Sequence, residues 1–156
     1  NRCVLDMNGY TKDAFLDKIK DGFDITLADR TSCRPGQKNE FGMYCGGSWY
    51  RLRAKPCLHS SDPVKGLDVS LLQDYVLGPV LGIEDPKTDS RIRFIGGIRG
   101  LSALEELADS CEGVAFAMHP TSMEELLAVA DAGMLMPPKS TWFEPKLRSG
   151  LFIHRF

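Results

Sequence analysis

Three short runs in this 156-residue chain carry side chains able to bind an anion or move a proton. Pro137-Pro138-Lys139-Ser140-Thr141 sets a cation and two hydroxyls behind two prolines, which restrict the backbone that presents them. Rigid presentation of a cation beside hydroxyl groups suits a small anion. The run is no Walker loop, because the glycines that let backbone amides wrap a phosphate are missing before Lys139. Its plainer reading is a proline stop, with Lys139 near the negative end of a helix. His119-Pro120-Thr121-Ser122 stands where a strand opens onto a helix N-terminus, a place where free N–H groups and the helix dipole attract anions. His119 is there a candidate acid or base. Against that, Thr121 serves equally as an ordinary cap, and Glu124 and Glu125 in the first turn repel phosphate. Gly96-Gly97-Ile98-Arg99-Gly100 follows a strand and precedes a helix, the position of a phosphate-binding turn, with Arg99 as its cation. The spacing is not Gly-x-Gly-x-x-Gly, so the glycines are equally explained by a tight turn.

The last eighteen residues hold Lys139, Lys146, Arg148 and Arg155 against one carboxylate, Glu144, interleaved with Trp142, Phe143 and Phe152. Basic and aromatic residues together stack on nucleic acid, although aromatics alternating along a strand usually belong to a core. The whole chain argues against a polyanion partner, with 19 Lys and Arg, 21 Asp and Glu and a net charge of -2. The histidines His59, His119 and His154 and the cysteines Cys3, Cys33, Cys45, Cys57 and Cys111 match no metal-ligand spacing, so no metal site is expected. Nothing in the sequence names a cofactor. An odd number of cysteines without close pairs reads as free thiols in a reducing compartment, with the cytoplasm as the default. No apolar run approaches the ~20 residues of a membrane span. The proportions, 43% apolar and 26% charged, are those of a globular protein able to bury its own core.

Elements that would position these groups can be read from periodicity. Residues 11–20 open with Thr11, put Phe15, Leu16 and Ile19 on one face and stop at Asp21-Gly22, as a helix does. Residues 23–27 read as a strand and 31–40 as a loop. Residues 41–45 and 49–53, separated by Gly46-Gly47, read as a hairpin. Trp49, Arg51 and Arg53 share one face of its second arm, Tyr50 and Leu52 the other. Residues 56–66 form a second loop and the best place for an internal boundary. A helix begins at Asp68, capped by Asp68 or Ser70, with Leu71, Leu72, Tyr75 and Val76 as its apolar stripe. The second half alternates: strand 91–95, helix 101–110, strand 114–118, helix 122–132. Ser102 with Glu105, and Thr121 with Glu124, read as capping boxes. Leu101, Leu104, Ala108 and Cys111 form one stripe and Met123, Leu126, Leu127 and Ala130 another. Gly133 is the stop, and strands are expected at 141–143 and 151–154. The order predicts an α+β fold, helices packed on a mixed sheet, with a hairpin-rich first half and a β-α-β-α second half.

The run Met136-Pro137-Pro138-Lys139-Ser140-Thr141-Trp142-Phe143-Glu144-Pro145-Lys146-Leu147-Arg148-Ser149-Gly150-Leu151-Phe152-Ile153-His154 resembles the C-terminal end of the Domain of Unknown Function 1015 family. His119-Pro120-Thr121, Ala130-Asp131-Ala132-Gly133, Asn1-Arg2, residues 66–72 and residues 81–83 are similar to that family too, with residues 31–56 looser. The resemblance implies the C-terminal portion of a longer protein. Its upstream half would carry an Asp-Gly-His-His-Arg type box, like that of ParB-like folds that include nucleotide-dependent enzymes, and would be a partner of this part. It brings no settled activity. Residues 1–156 are accordingly expected to form a single domain or a C-terminal fragment. The resulting expectation is a small phosphorylated or nucleotide ligand gripped by Lys139, Ser140, Thr141 and Arg148, with His119 as acid or base and Arg99 as a further contact. The rival readings are a docking module without catalysis and a nucleic-acid binder.

Overall fold

The Gly46-Gly47 pair makes a two-residue connection between two strands. Both glycines have positive φ, 53° and 74°, the requirement of a two-residue hairpin turn whose twist matches its strands. The turn sets β3 (Glu40–Cys45) against β4 (Ser48–Ala54) with Cys45 opposite Ser48. The computed structural model describes residues 1–141 of the chain. Around the hairpin lie β1 (Arg2–Val4), α1 (Lys12–Ile19), β2 (Phe23–Ala28), α2 (Asp68–Leu72), β5 (Ile92–Phe94), α3 (Ser102–Cys111), β6 (Val114–Met118) and α4 (Met123–Asp131). The strands form one six-stranded sheet in the order β2-β4-β3-β6-β1-β5. The fold is α+β, and every pairing in the sheet is antiparallel where a mixed sheet was expected.

The difference has a topological cause. β5, α3 and β6 follow one another like a parallel crossover unit, but β1 inserts between the two strands and pairs antiparallel with both. β5 and β6 therefore run in the same direction without touching, and α3 crosses over β1. Their C-terminal ends open on the same edge of the sheet as the start of β1.

Both faces of the sheet are covered at its centre, where β1, β3 and β6 are buried almost throughout, while the edge strand β2 is largely exposed. Phe41, Met43 and Cys45 alternate with Gly42 and Tyr44 along β3. The first set packs with Phe15 and Ile19 of α1, Leu71 and Leu72 of α2, and Val76, Leu77, Leu81 and Ile83 beyond it. Tyr44 packs on the opposite face with Trp49, Leu101, Leu104 and Ala108 under α3. Phe15, Phe23, Phe41 and Phe116 are fully buried, and each such side chain contributes about 1.5–3 kcal/mol of transfer free energy. The five cysteines are free, and Cys3, Cys33 and Cys45 are core residues. Burial pushes the Cys3 thiol up to about 12, which keeps it protonated and inert as a nucleophile.

Three local expectations need correction. The helix from Asp68 turns π-helical over Gln73–Leu77, with Gly78 N–H reaching back five residues to the Gln73 carbonyl at 2.9 Å. The wider turn shifts the stripe by one, so Leu77 is buried and Tyr75 is 42% exposed. Neither Asp68 nor Ser70 caps α2, whose N-cap is Leu67. α3 has no capping box either: the chain enters it already helical at Leu101, after a 3-10 turn over Gly97–Arg99. Glu105 is then free to accept the Trp49 indole N–H at 2.7 Å and to pair with Arg30 at 3.2 Å. The strands expected at 141–143 and 151–154 lie outside the described residues apart from Thr141, which is in no strand. Among the described residues no helix is long and apolar enough to cross a membrane.

Candidate functional site

The C-terminal ends of β5 and β6 give way to two loops, residues 95–101 and 119–122, and the turn at Pro138-Lys139 approaches the second. Between them lies a cleft of about 790 Å³ lined by Asn1, Arg2, Phe94, Gly96, Gly97, Met118, His119, Thr121, Lys139, Ser140 and Thr141, among others. Crevices beyond the carboxyl ends of strands are where open sheets commonly bind ligands, because the loops there are free to vary. Asn1 closes the base, with its side-chain oxygen accepting from the Met118 N–H at 3.0 Å and its carbonyl accepting from the Ile95 N–H at 3.1 Å.

The residues singled out from sequence divide as follows. His119, Lys139, Ser140 and Thr141 line the one cleft. Arg99 does not; it is exposed on the 3-10 turn, pointing its charge outside the lining set. The cause is the Gly97–Arg99 turn, which gives the cleft wall to Gly97 and Ile98 instead. Arg148 lies outside the described residues.

The helix N-terminus beside His119 is already engaged. α4 carries a capping box formed by Ser122 and Glu125, one residue later than the expected Thr121 and Glu124. Ser122 Oγ accepts from Glu125 N–H at 3.1 Å, and Glu125 accepts from Ser122 N–H at 3.0 Å and pairs with Lys38 at 2.7 Å. Thr121 instead donates its hydroxyl to the Ser140 carbonyl at 3.2 Å, and Ser140 donates to the Pro137 carbonyl at 2.6 Å. These bonds fasten the turn that presents Lys139. Lys139 itself has φ 54°, a left-handed conformation unusual for a side chain of its size. The α4 stripe also departs from the expected one: Val129 is buried and Leu126 half-buried, while Met123 and Leu127 are 58% and 54% exposed. The Gly133 stop is as expected, with Gly133 N–H to the Ala130 carbonyl and Met134 N–H to the Val129 carbonyl.

Residues 1–70 of the chain match the model of the family described as Protein of unknown function (DUF1015). The chain is consistent with a DUF1015 family member. No curated protein and no solved structure matches it. The DUF1015 match includes the loop and hairpin of residues 31–56, where the likeness looked loosest, and the C-terminal run from Met136 lies outside it.

Two residues within the DUF1015 span escaped the reading of the sequence. Arg2 is 4% exposed and lines the cleft, with its guanidinium carbon 5.5 Å from the centroid of the Phe94 ring. Apart from the family likeness of Asn1-Arg2, no signal in the sequence separates it from the other arginines. Asp68, expected as a cap, is buried next to Val69, which lines the cleft. Burial raises its pKa to about 6, with Glu125 adding to the rise, while the Asn39 N–H bonded at 2.9 Å, Lys38 and His119 oppose it. Among the described residues no group of three or more His, Cys, Asp or Glu is placed to hold a metal ion.

Proposed function

We propose that the cleft binds a small phosphorylated metabolite of the nucleotide class. The observation that supports this reading is the gathering of Lys139, Ser140, Thr141 and His119, drawn from two separate loops, around a space of about 790 Å³. That volume lies within the range of ligand sites, about 300–1,000 Å³. Lys139 supplies the counter-charge, Ser140 and Thr141 supply polar contacts, and His119 is the titratable side chain placed for acid–base work. Arg148 is assigned to the same ligand from its place in the C-terminal run. A phosphoryl-transfer reaction, completed by a further portion of the same protein in the cytoplasm, is the most concrete form of this reading. Titration of the chain with AMP, ADP and inorganic phosphate tests it. Binding that falls about tenfold or more with Lys139→Ala supports the assignment. No binding, or binding unchanged by that substitution, overturns it.

A second reading, a docking module, draws on the apolar side chains left in solvent along and after α4. Leu135 is 89% exposed, in line with Met123, Leu127 and Met134. It predicts self-association of the chain on its own, read by sedimentation velocity. A monomer at high concentration counts against it.

A further inference from the structure

Arg2 is a charge buried away from water without a counter-ion among the described residues. It sits on β1 with Phe94 and Phe116 as its partners on the flanking strands, so its side chain shares a sheet face with both rings. The residue is 4% exposed, and its Nε has no hydrogen-bond partner. Among the described residues it enters no ion pair, whereas Arg91 pairs with Asp89 and Asp6, Arg53 with Glu40 and Lys38 with Glu125. The ring of Phe94 at 5.5 Å offers the cation a partial partner. Burial lowers the Arg2 pKa to about 10, which still leaves the group charged at neutral pH. A guanidinium buried without a counter-ion is unfavourable, and an arriving oxyanion would offset much of its lost hydration.

The same side chain lines the large cleft and also a recess of about 80 Å³ on its other side, bounded by Gln73, Asp74 and Pro137. Asp74 is exposed there and makes no ion pair with Arg2. The cleft wall also carries an apolar set, Ile95, Ile98, Met118, Met123 and Leu126 together with Phe94, beside its polar residues. Lys139 is exposed at the rim and belongs to a different element. The cleft is therefore lined by one buried cation, Arg2, and one exposed cation, Lys139.

We propose that Arg2 is the anchor of this cleft, taking the oxyanion of an amphipathic ligand whose aromatic or apolar body lies along Phe94, Ile95, Ile98, Met118, Met123 and Leu126. This rests on the reading of the cleft as an anion site and adds to it which cation is the anchor and what body the anion must carry. The guanidinium fork donates to phosphate or carboxylate oxygens with equally good geometry, so the oxyanion is the shared chemistry.

The test uses the 156-residue chain and four probes: phenyl phosphate, phenylacetate, inorganic phosphate and benzyl alcohol. One of the two aromatic anions should bind about tenfold or more tightly than both inorganic phosphate and benzyl alcohol, and the tighter one names the oxyanion. Arg2→Gln should remove that advantage, and Arg2→Lys should restore only part of it, since a point charge replaces the fork. Should the Arg2 variants fail to fold, the Nε–Hε resonance of Arg2 in the unsubstituted chain is followed by heteronuclear NMR and should shift on saturation. Binding unaltered in Arg2→Gln, or an Arg2 resonance unmoved at saturation, overturns the anchor. An anion that binds through Lys139 and not through Arg2 overturns it while leaving the proposed function intact. No binding by these probes, together with none by the nucleotides, overturns both.

Discussion

The Thr121 hydroxyl donates to the main-chain carbonyl of Ser140 at 3.2 Å, joining the loop that leaves β6 to the turn that carries Lys139. One side-chain bond thus sets the relation between His119 and Lys139 across the cleft. Thr121→Val keeps the shape and removes the donor. It should cost about 1 kcal/mol of stability, the net worth of one such bond. Phosphate or nucleotide affinity should fall by about three- to tenfold, because the turn loses its orientation. Thermal melting and titration on the same preparation read the two effects separately.

Lys139 occupies a left-handed backbone position at φ 54°, where Asn is tolerated and Lys is strained. Lys139→Asn should therefore leave the melting temperature unchanged or slightly raised, by the equivalent of about 0.5–1 kcal/mol. Anion binding should fall about tenfold, since the rim cation is gone. A loss of stability would show that the lysine stem packs against the cleft.

Asp68 predicts a pH dependence with a definite sign. Its folded pKa is raised from 3.8 to about 6 by burial, so the folded state binds the proton more tightly than the unfolded chain does. Stability contributed by this group is full below about pH 4 and is lost as pH rises through about 6, an effect on the order of 3 kcal/mol. Asp68→Asn keeps an oxygen to accept the Asn39 N–H and cannot ionise. Urea unfolding at a series of pH values should show the variant gaining on the wild type between pH 4 and 6.

Glu105 joins α3 to the sheet by accepting the Trp49 indole N–H at 2.7 Å. Glu105→Ala strands that donor in a largely buried site and should cost about 1–3 kcal/mol. Trp49→Phe removes the donor as well as ring area. In a double-mutant cycle the two losses should be less than additive, and strict additivity would remove the bond from the account.

Much of the local structure could be read from residue order because it depends on neighbours in sequence. Thr11 before an amphipathic run caps α1, with its side chain accepting from the Ala14 N–H, and Gly46-Gly47 closes the hairpin. Where two local solutions competed, order alone could not choose. Thr121 with Glu124 and Ser122 with Glu125 both satisfy a capping box, and the bond from Thr121 to Ser140 decides for the later register. The Ser102 box failed because a preceding 3-10 turn supplied the entry and Trp49, distant in sequence, claimed Glu105.

His119, Lys139, Ser140 and Thr141 were legible as residues able to meet an anion because their types and their proline-bounded setting are local facts. That these four line one cleft, that Arg99 stands outside it and that Arg2 lies buried in its wall are outcomes of tertiary structure. Arg2 looks in the sequence like any arginine near a strand. It becomes exceptional only when β1 is inserted between β5 and β6 and two aromatic strands close on its side chain. Charge type is written in the chain; the dielectric around a charge and the partners within its reach depend on long-range packing, which no local pattern encodes.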